Sequence, residues 1–136
     1  MSNNFYNQRF EVGGLIANNI VQSPLLSVDK INANSSIVTQ GSNISTAVTL
    51  SPIYGSGIIV TQNATATTGA NHTFTANHSA VSENSVILTN ILGYSGTGTP
   101  HVRLNAVTTG SFNVIVANSN YGAALNSSLK IGYTIL

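Results

Sequence analysis

The sequence contains no cysteine. Disulfides, cysteine zinc sites and thiol catalysis are therefore excluded. Charge is almost as scarce: charged residues make up 5% of the chain, against about 25% in ordinary soluble domains. The net charge is +1, from Arg9, Lys30, Arg103 and Lys130 against Glu11, Asp29 and Glu83. So few cations cannot neutralise a run of phosphates, and no nucleic-acid partner is expected. No apolar run approaches the ~18 residues that a spanning helix needs, and no basic cluster flanks one. No membrane partner is expected. The start, "MSNNFYNQRFEVGG", places no apolar segment after a basic region, so no signal peptide is expected.

What the chain does have is 42% hydrophobic residues over 136 positions. That is one domain's worth of chain, with enough apolar side chain to bury a core. Asn, Ser and Thr carry most of the polar share. Such a surface is hydrated but sets little repulsion between copies. It points to a protein that lives against other copies or within a larger assembly; the alternative is a monomeric domain of biased composition. Few charges combined with no export signal suit a viral structural protein, made in the host cytoplasm and released inside a particle.

Period-two alternation runs through most of the chain after residue 35. Thr46–Leu50, Ser56–Gln62, Asn71–Asn77, Ser85–Leu92, His101–Val107, Ser111–Asn118 and Ser128–Leu136 are rich in Val, Ile, Thr and aromatics and read as strands. Turn residues separate them, as in "SPIYG", "GYSGTGTP" and "NSNYGAALN". "AVTTGSF" is the clearest hairpin, with Gly110 free to take positive φ. Short strands at this spacing, with no amphipathic helix between them, predict an antiparallel β-sandwich of jelly-roll type. Inward positions are expected at Val102, Leu104 and Ala106, at Phe112, Val114 and Val116, and at Ile131, Tyr133 and Ile135 of a centrally placed last strand. Arg103 and Asn105 then face outward.

Two stretches, "SSIVTQGSNIST" and "SGIIVTQNATAT", share Val-Thr-Gln, starting at Val38 and Val60. Solenoid repeats need three or more units to bury a core, so two strands with equivalent demands are the better reading. Val38 and Gln40 are expected on one face, as are Val60 and Gln62, with Thr39 and Thr61 outward on an uncharged edge. Residues 1–34 differ. Apolar pairs alternate with polar spacers without strand or helix period, and Asn18-Asn19 and Ser23-Pro24 oppose a long helix. They read as an extended N-terminal arm with one short strand around Leu25 to Ile31, ahead of a β-sandwich domain over 35–136.

From Val38 onward the segments "VTQGSNISTAVTL", "GIIVTQ", "NHTFTANHSAV", "GYSGTGTP", "GSFNVIVAN" and "LNSSLKIGYTIL" resemble a domain of bacteriophage and other viral virion proteins. The resemblance implies a β-sandwich carried on tail fibres and head-associated proteins, often as trimers. "GGLIANNIV" with "INANSSIVTQGSNIST" is similar to the Gly-Asn-Ile-Ser-Thr repeats of trimeric phage fibres. The chain is short for a fibre and suits a capsid decoration or cement protein better.

Candidate chemistry is thin. His72 and His78 share parity across "HTFTANH", so a straight strand would put them on one face, where a three-fold axis could gather imidazoles round a metal. They lack metal-ligand spacing, and their bland reading, with His101, is surface or strand-end histidine. A glycosidase needs paired carboxylates, yet Glu11 and Asp29 fall in the arm and only Glu83 in the body. No nucleophile elbow supports a triad. The glycines of "GYSGTGTP" are in the wrong order for a phosphate loop, with no Lys after them. No enzyme activity, cofactor or metal is expected. Tyr54, Tyr94 and Tyr121 lie in predicted loops beside glycine, where they suit a glycan- or protein-binding tip or a subunit interface.

The expected protein is thus a non-enzymatic virion component on the capsid exterior, a homo-oligomer, expected as a trimer, partnered by the major capsid protein or other virion proteins. Its arm would bury Leu15, Ile16, Ile20, Val21, Leu25 and Leu26 in intersubunit grooves. The alternative is a tail-fibre or adhesin module that binds a host-surface glycan.

Overall fold

The computed structural model describes residues 36–136. The expected arm, with Leu15, Ile16, Ile20, Val21, Leu25 and Leu26, lies outside the described residues. Among the described residues, the seven alternating segments and the stretch around Val38 form eight strands: β1 (Ser36–Thr39), β2 (Val48–Thr49), β3 (Ser56–Val60), β4 (Asn71–Asn77), β5 (Ile87–Tyr94), β6 (Pro100–Thr108), β7 (Ser111–Asn118) and β8 (Leu129–Ile135). β4 and β7 have the bounds that alternation predicts, whereas only two residues of Thr46–Leu50 pair as β2.

The strands make two four-stranded sheets. The first has the order β1-β3-β8-β5 and the second β2-β4-β7-β6. Together they form an all-β sandwich, in which two pairings are parallel where the alternation predicts a wholly antiparallel jelly roll. Every connection except β6–β7 passes from one sheet to the other. That one exception is the predicted hairpin, where Gly110 has φ of 86°, a value that a Cβ would penalise.

The crossings explain the strand directions. A chain that changes sheet at each turn lays β1, β3 and β5 in the same direction in the first sheet. It likewise lays β2, β4 and β6 in the same direction in the second. The in-sheet hairpin reverses that order, so β7 slots antiparallel between β4 and β6, and β8 between β3 and β5. β1 and β2 join outside this insertion and therefore pair in parallel, β1 with β3 and β2 with β4. The last strand is central, as expected.

The core lies between the sheets. Phe74, Phe112, Val114 and Val116 of the second meet Ile59, Leu129, Ile131 and Tyr133 of the first. The Phe112 and Tyr133 rings are tilted at 6.4 Å between centroids, within the range of favourable aromatic pairs. Loop residues Leu50, Val81 and Leu125 close the two ends and are 1–2% exposed.

Parity misleads at two places. In β6 the register shifts between Leu104 and Ala106, a bulge at Asn105 that flips the following residues. Val107, and not the expected Ala106, then packs with Val102 and Leu104 on the core. The Val-Thr-Gln words are the second place. β1 pairs Val38 with Ile59 and Thr39 with Val60, so the triplets sit one residue out of register, and a one-residue slip exchanges the faces. Val38 packs on the core, whereas Val60 lies on the outer face with Ile58. Thr61, expected outward, is buried at 2% exposure.

Candidate functional site

At the end of the sandwich where β3 and β7 finish, three buried polar side chains hold the loops. Gln40 donates from Nε2 to the carbonyls of Ile44 (2.8 Å) and Thr46 (2.7 Å). Its Oε1 accepts from Gln62 N–H at 3.1 Å, and Gln62 Nε2 returns a bond to the Gln40 carbonyl at 2.8 Å. The repeated Val-Thr-Gln is therefore a reciprocal amide clasp across the parallel pair β1–β3. Thr61 Oγ1 accepts from Leu129 N–H at 2.9 Å and donates to the Gln62 carbonyl at 2.8 Å.

Asn118, at the end of β7, is the third. Its Nδ2 donates to the carbonyls of Ala66 (3.0 Å) and Ala123 (2.8 Å). Its Oδ1 accepts from the N–H groups of Thr99 (3.1 Å) and Asn120 (3.0 Å). One amide thus joins three loops, with both its donors and its acceptor used. No motif marks it; only its position after an alternating strand, ahead of a turn-rich loop, sets it apart.

These loops carry one of the three singled-out tyrosines. Tyr121, between Asn120 and Gly122, is 93% exposed. Tyr94 is no loop residue: it ends β5 and packs against the core. Its hydroxyl donates to the Thr97 carbonyl and accepts from Asn126 N–H at 3.1 Å, so it braces two loops. Tyr54 sits at the opposite end, where its carbonyl faces His78 Nε2 at 2.9 Å. The three do not form one tip.

The histidines are also separated. His72, at the start of β4, accepts from Thr65 N–H through Nε2 at 3.2 Å. Burial lowers its pKa from the usual 6.5, because a charged ring loses hydration there. His78 lies past the other end of β4, 2% exposed. Ala80 N–H donates to its Nδ1 at 3.2 Å, so Nε2 carries the proton given to the Tyr54 carbonyl. His101 is exposed on β6. Among the described residues no three of His, Cys, Asp and Glu converge on one point, and Glu83 is the single carboxylate side chain. No described helix is long and apolar enough to cross a membrane.

Shallow depressions lie on the surface of the described residues. One, about 390 Å³, is lined by Leu50, Pro52, Asn77 and His78 among others. The second, about 300 Å³, lies beside Leu92, Tyr94, Ser95 and Lys130. Exposed apolar side chains are scattered at Ile53, Val86 and Leu136 and gathered at Ile37 (66%), Leu88 (56%) and Leu92 (53%), which share the outer face of the first sheet. Sequence alternation hid this face, because both sides of β3 and β5 carry apolar residues. Compared with protein families, curated proteins and solved structures, the chain matches none.

Proposed function

We propose that this chain is a non-enzymatic structural protein of a virion, a capsid decoration or cement protein that works as a homo-oligomer on the particle exterior. One observation carries the scaffold part of that reading. The buried amides Gln40 and Asn118 are engaged by the chain's own backbone, while apolar Ile37, Leu88 and Leu92 are offered to the outside on one face. A surface of that kind fits other protein. The virion assignment rests on the sequence resemblance, as does the trimeric state. Residues 1–34 would dock on the shell, and several arms on one oligomer would bind with avidity. Aspartate at Ile20 and Leu25 in the full chain, and separately deletion of residues 1–30, should abolish co-sedimentation with particles. The circular dichroism of the body should not change. Co-sedimentation that survives both changes would sink the docking arm.

Tyr121 supports a second reading, a receptor-binding module. Its exposed ring stands on a loop that Asn118 and Asn120 hold in place, as a glycan-stacking residue requires. Alanine at Tyr121 would then remove cell binding and leave assembly intact; an empty glycan array with the intact protein counts against it.

A further inference from the structure

We infer that the outer face of the first sheet is a two-fold contact between copies of this chain. The inference rests on the self-association in the proposed function and names the surface that makes it. The strands themselves carry the first argument. β3 reads Gly57-Ile58-Ile59-Val60, and β5 has Ile87-Leu88 and Ile91-Leu92. Sheets buried on both faces show such unbroken apolar runs, and sheets with one wet face show alternation. In the second sheet β4 and β6 alternate, and only the central strand β7 breaks the alternation, at Ile115, which is buried between its pairing partners Thr73 and Arg103.

The geometry of the face carries the second. Pairing aligns Ile37, Ile58, Gly132 and Asn90 in a middle row. On one side lie Thr39, Val60, Lys130 and Gly93; on the other, Ser56, Thr134 and Leu88. Leu92 leans over the middle row, since a Cβ at Gly132 would come within 3.1 Å of its Cδ1. Lys130 is the one charged residue among these positions.

A two-fold axis running along the middle row, in the plane between two facing sheets, exchanges the flanking rows. Ile58 then meets its own equivalent. Leu92 meets the partner subunit's Leu88, and Val60 meets the partner subunit's Ser56. Lys130 meets the partner subunit's Thr134, whose hydroxyl accepts from an ammonium. The two ammonium groups stay apart by four residues along the strand, about 13 Å, farther than a Debye length in physiological salt. The pattern is thus self-complementary, as an isologous contact demands, and it leaves no charge facing its like. Such a contact produces even-numbered species: a dimer, or paired trimers.

The test uses the full chain. Leu88→Asp with Leu92→Asp should raise the dissociation constant about a hundredfold or more, because each buries an unpaired carboxylate. Asn105→Asp, on the second sheet's exposed side, should leave it unchanged. Sedimentation should give an even-numbered wild-type species. A benzophenone amino acid at Leu88, in a mixture of unlabelled and nitrogen-15 protein, should cross-link between copies into residues 90–93. A species that ignores the aspartates, a cross-link into residues 1–35 or into another protein, or no cross-link at all would overturn the inference. Loss of particle binding with the even-numbered species intact would instead sink the virion assignment and leave this contact standing.

Discussion

The two sheets share one plan and differ in where they keep polarity. In the second sheet, inner Phe74, Phe112, Val114 and Val116 alternate with outer Thr73, Thr75, Asn113 and Arg103, with buried Ile115 among them, and Thr75 Oγ1 donates to Asn113 Oδ1 at 3.0 Å. That is the division expected of a sheet with one wet face. The first sheet departs from it. Its outer face carries Ile37, Ile58, Leu88 and Leu92, while Gln40, Thr61 and the Tyr133 hydroxyl are buried. The inner faces make the fold, and the outer faces differ in their polarity.

The sharpest way to probe this contrast is to remove the buried amide that closes each sheet. Gln40→Ala would leave Gln62 N–H and the carbonyls of Ile44 and Thr46 without their partner. Asn118→Ala would do the same to four backbone groups in three loops. Each should cost about 2–4 kcal/mol, since stranding a buried polar group costs roughly 1–3 kcal/mol and more than one is stranded here. Urea titration measures it. Gln40→Glu should also destabilise, because a carboxylate cannot donate to two carbonyls. A loss below about 0.5 kcal/mol at Gln40 would show that the parallel pair β1–β3 holds without its clasp.

Much of this division is legible in the sequence, and the limits are physical. Strand positions follow from alternation and turn residues, and the inward placement of Phe112, Val114, Val116, Ile131 and Tyr133 follows from parity. Parity breaks at the bulge after Leu104, which has no marker in the residues themselves. It also cannot give register between strands, so the equal words at Val38 and Val60 suggest equal faces where a one-residue offset makes them opposite. Tyr94 reads as a loop residue beside Gly93, yet the bulge at Leu92 carries its ring back to the core. The expected uncharged edge at Thr39 and Thr61 is an exposed threonine and a buried one. The apolar outer face is readable only by comparing strands: "GIIV" against "HTFTA" separates a two-sided sheet from a one-sided one.

A smaller effect, of opposite sign, comes from the inner face of the first sheet. Tyr133 is 3% exposed, and its hydroxyl, near the Ser36 side chain, makes no well-formed hydrogen bond among the described residues. Removing an unsatisfied buried group relieves its desolvation cost. Tyr133→Phe should therefore raise the unfolding free energy from urea titration by about 0.5–1 kcal/mol and keep the ring's contact with Phe112. Destabilisation by that substitution would mean that the hydroxyl is bonded in solution, through Ser36 or the chain before it.

The smallest expected effect belongs to the second sheet and depends on pH. His72 is half-buried where β4 begins, its Nε2 accepting from Thr65 N–H, and burial holds its pKa below the usual 6.5. Above about 6.5 the ring is neutral in both folded and unfolded chains, and the full contribution to stability is present. As pH falls below that value, the unfolded chain takes up a proton that the folded chain still refuses. Stability is then lost, until pH passes the lowered folded value and the loss levels off. The readable quantity is a difference between variant and wild type. The slope of unfolding free energy between pH 7 and 5 should be shallower in His72→Gln than in the wild type, with the two converging in slope above pH 7. Parallel profiles across that range would mean that the ring is as well hydrated in the folded sheet as in the open chain. The wet side of the sandwich would then reach one residue further around the edge of β4 than its burial indicates.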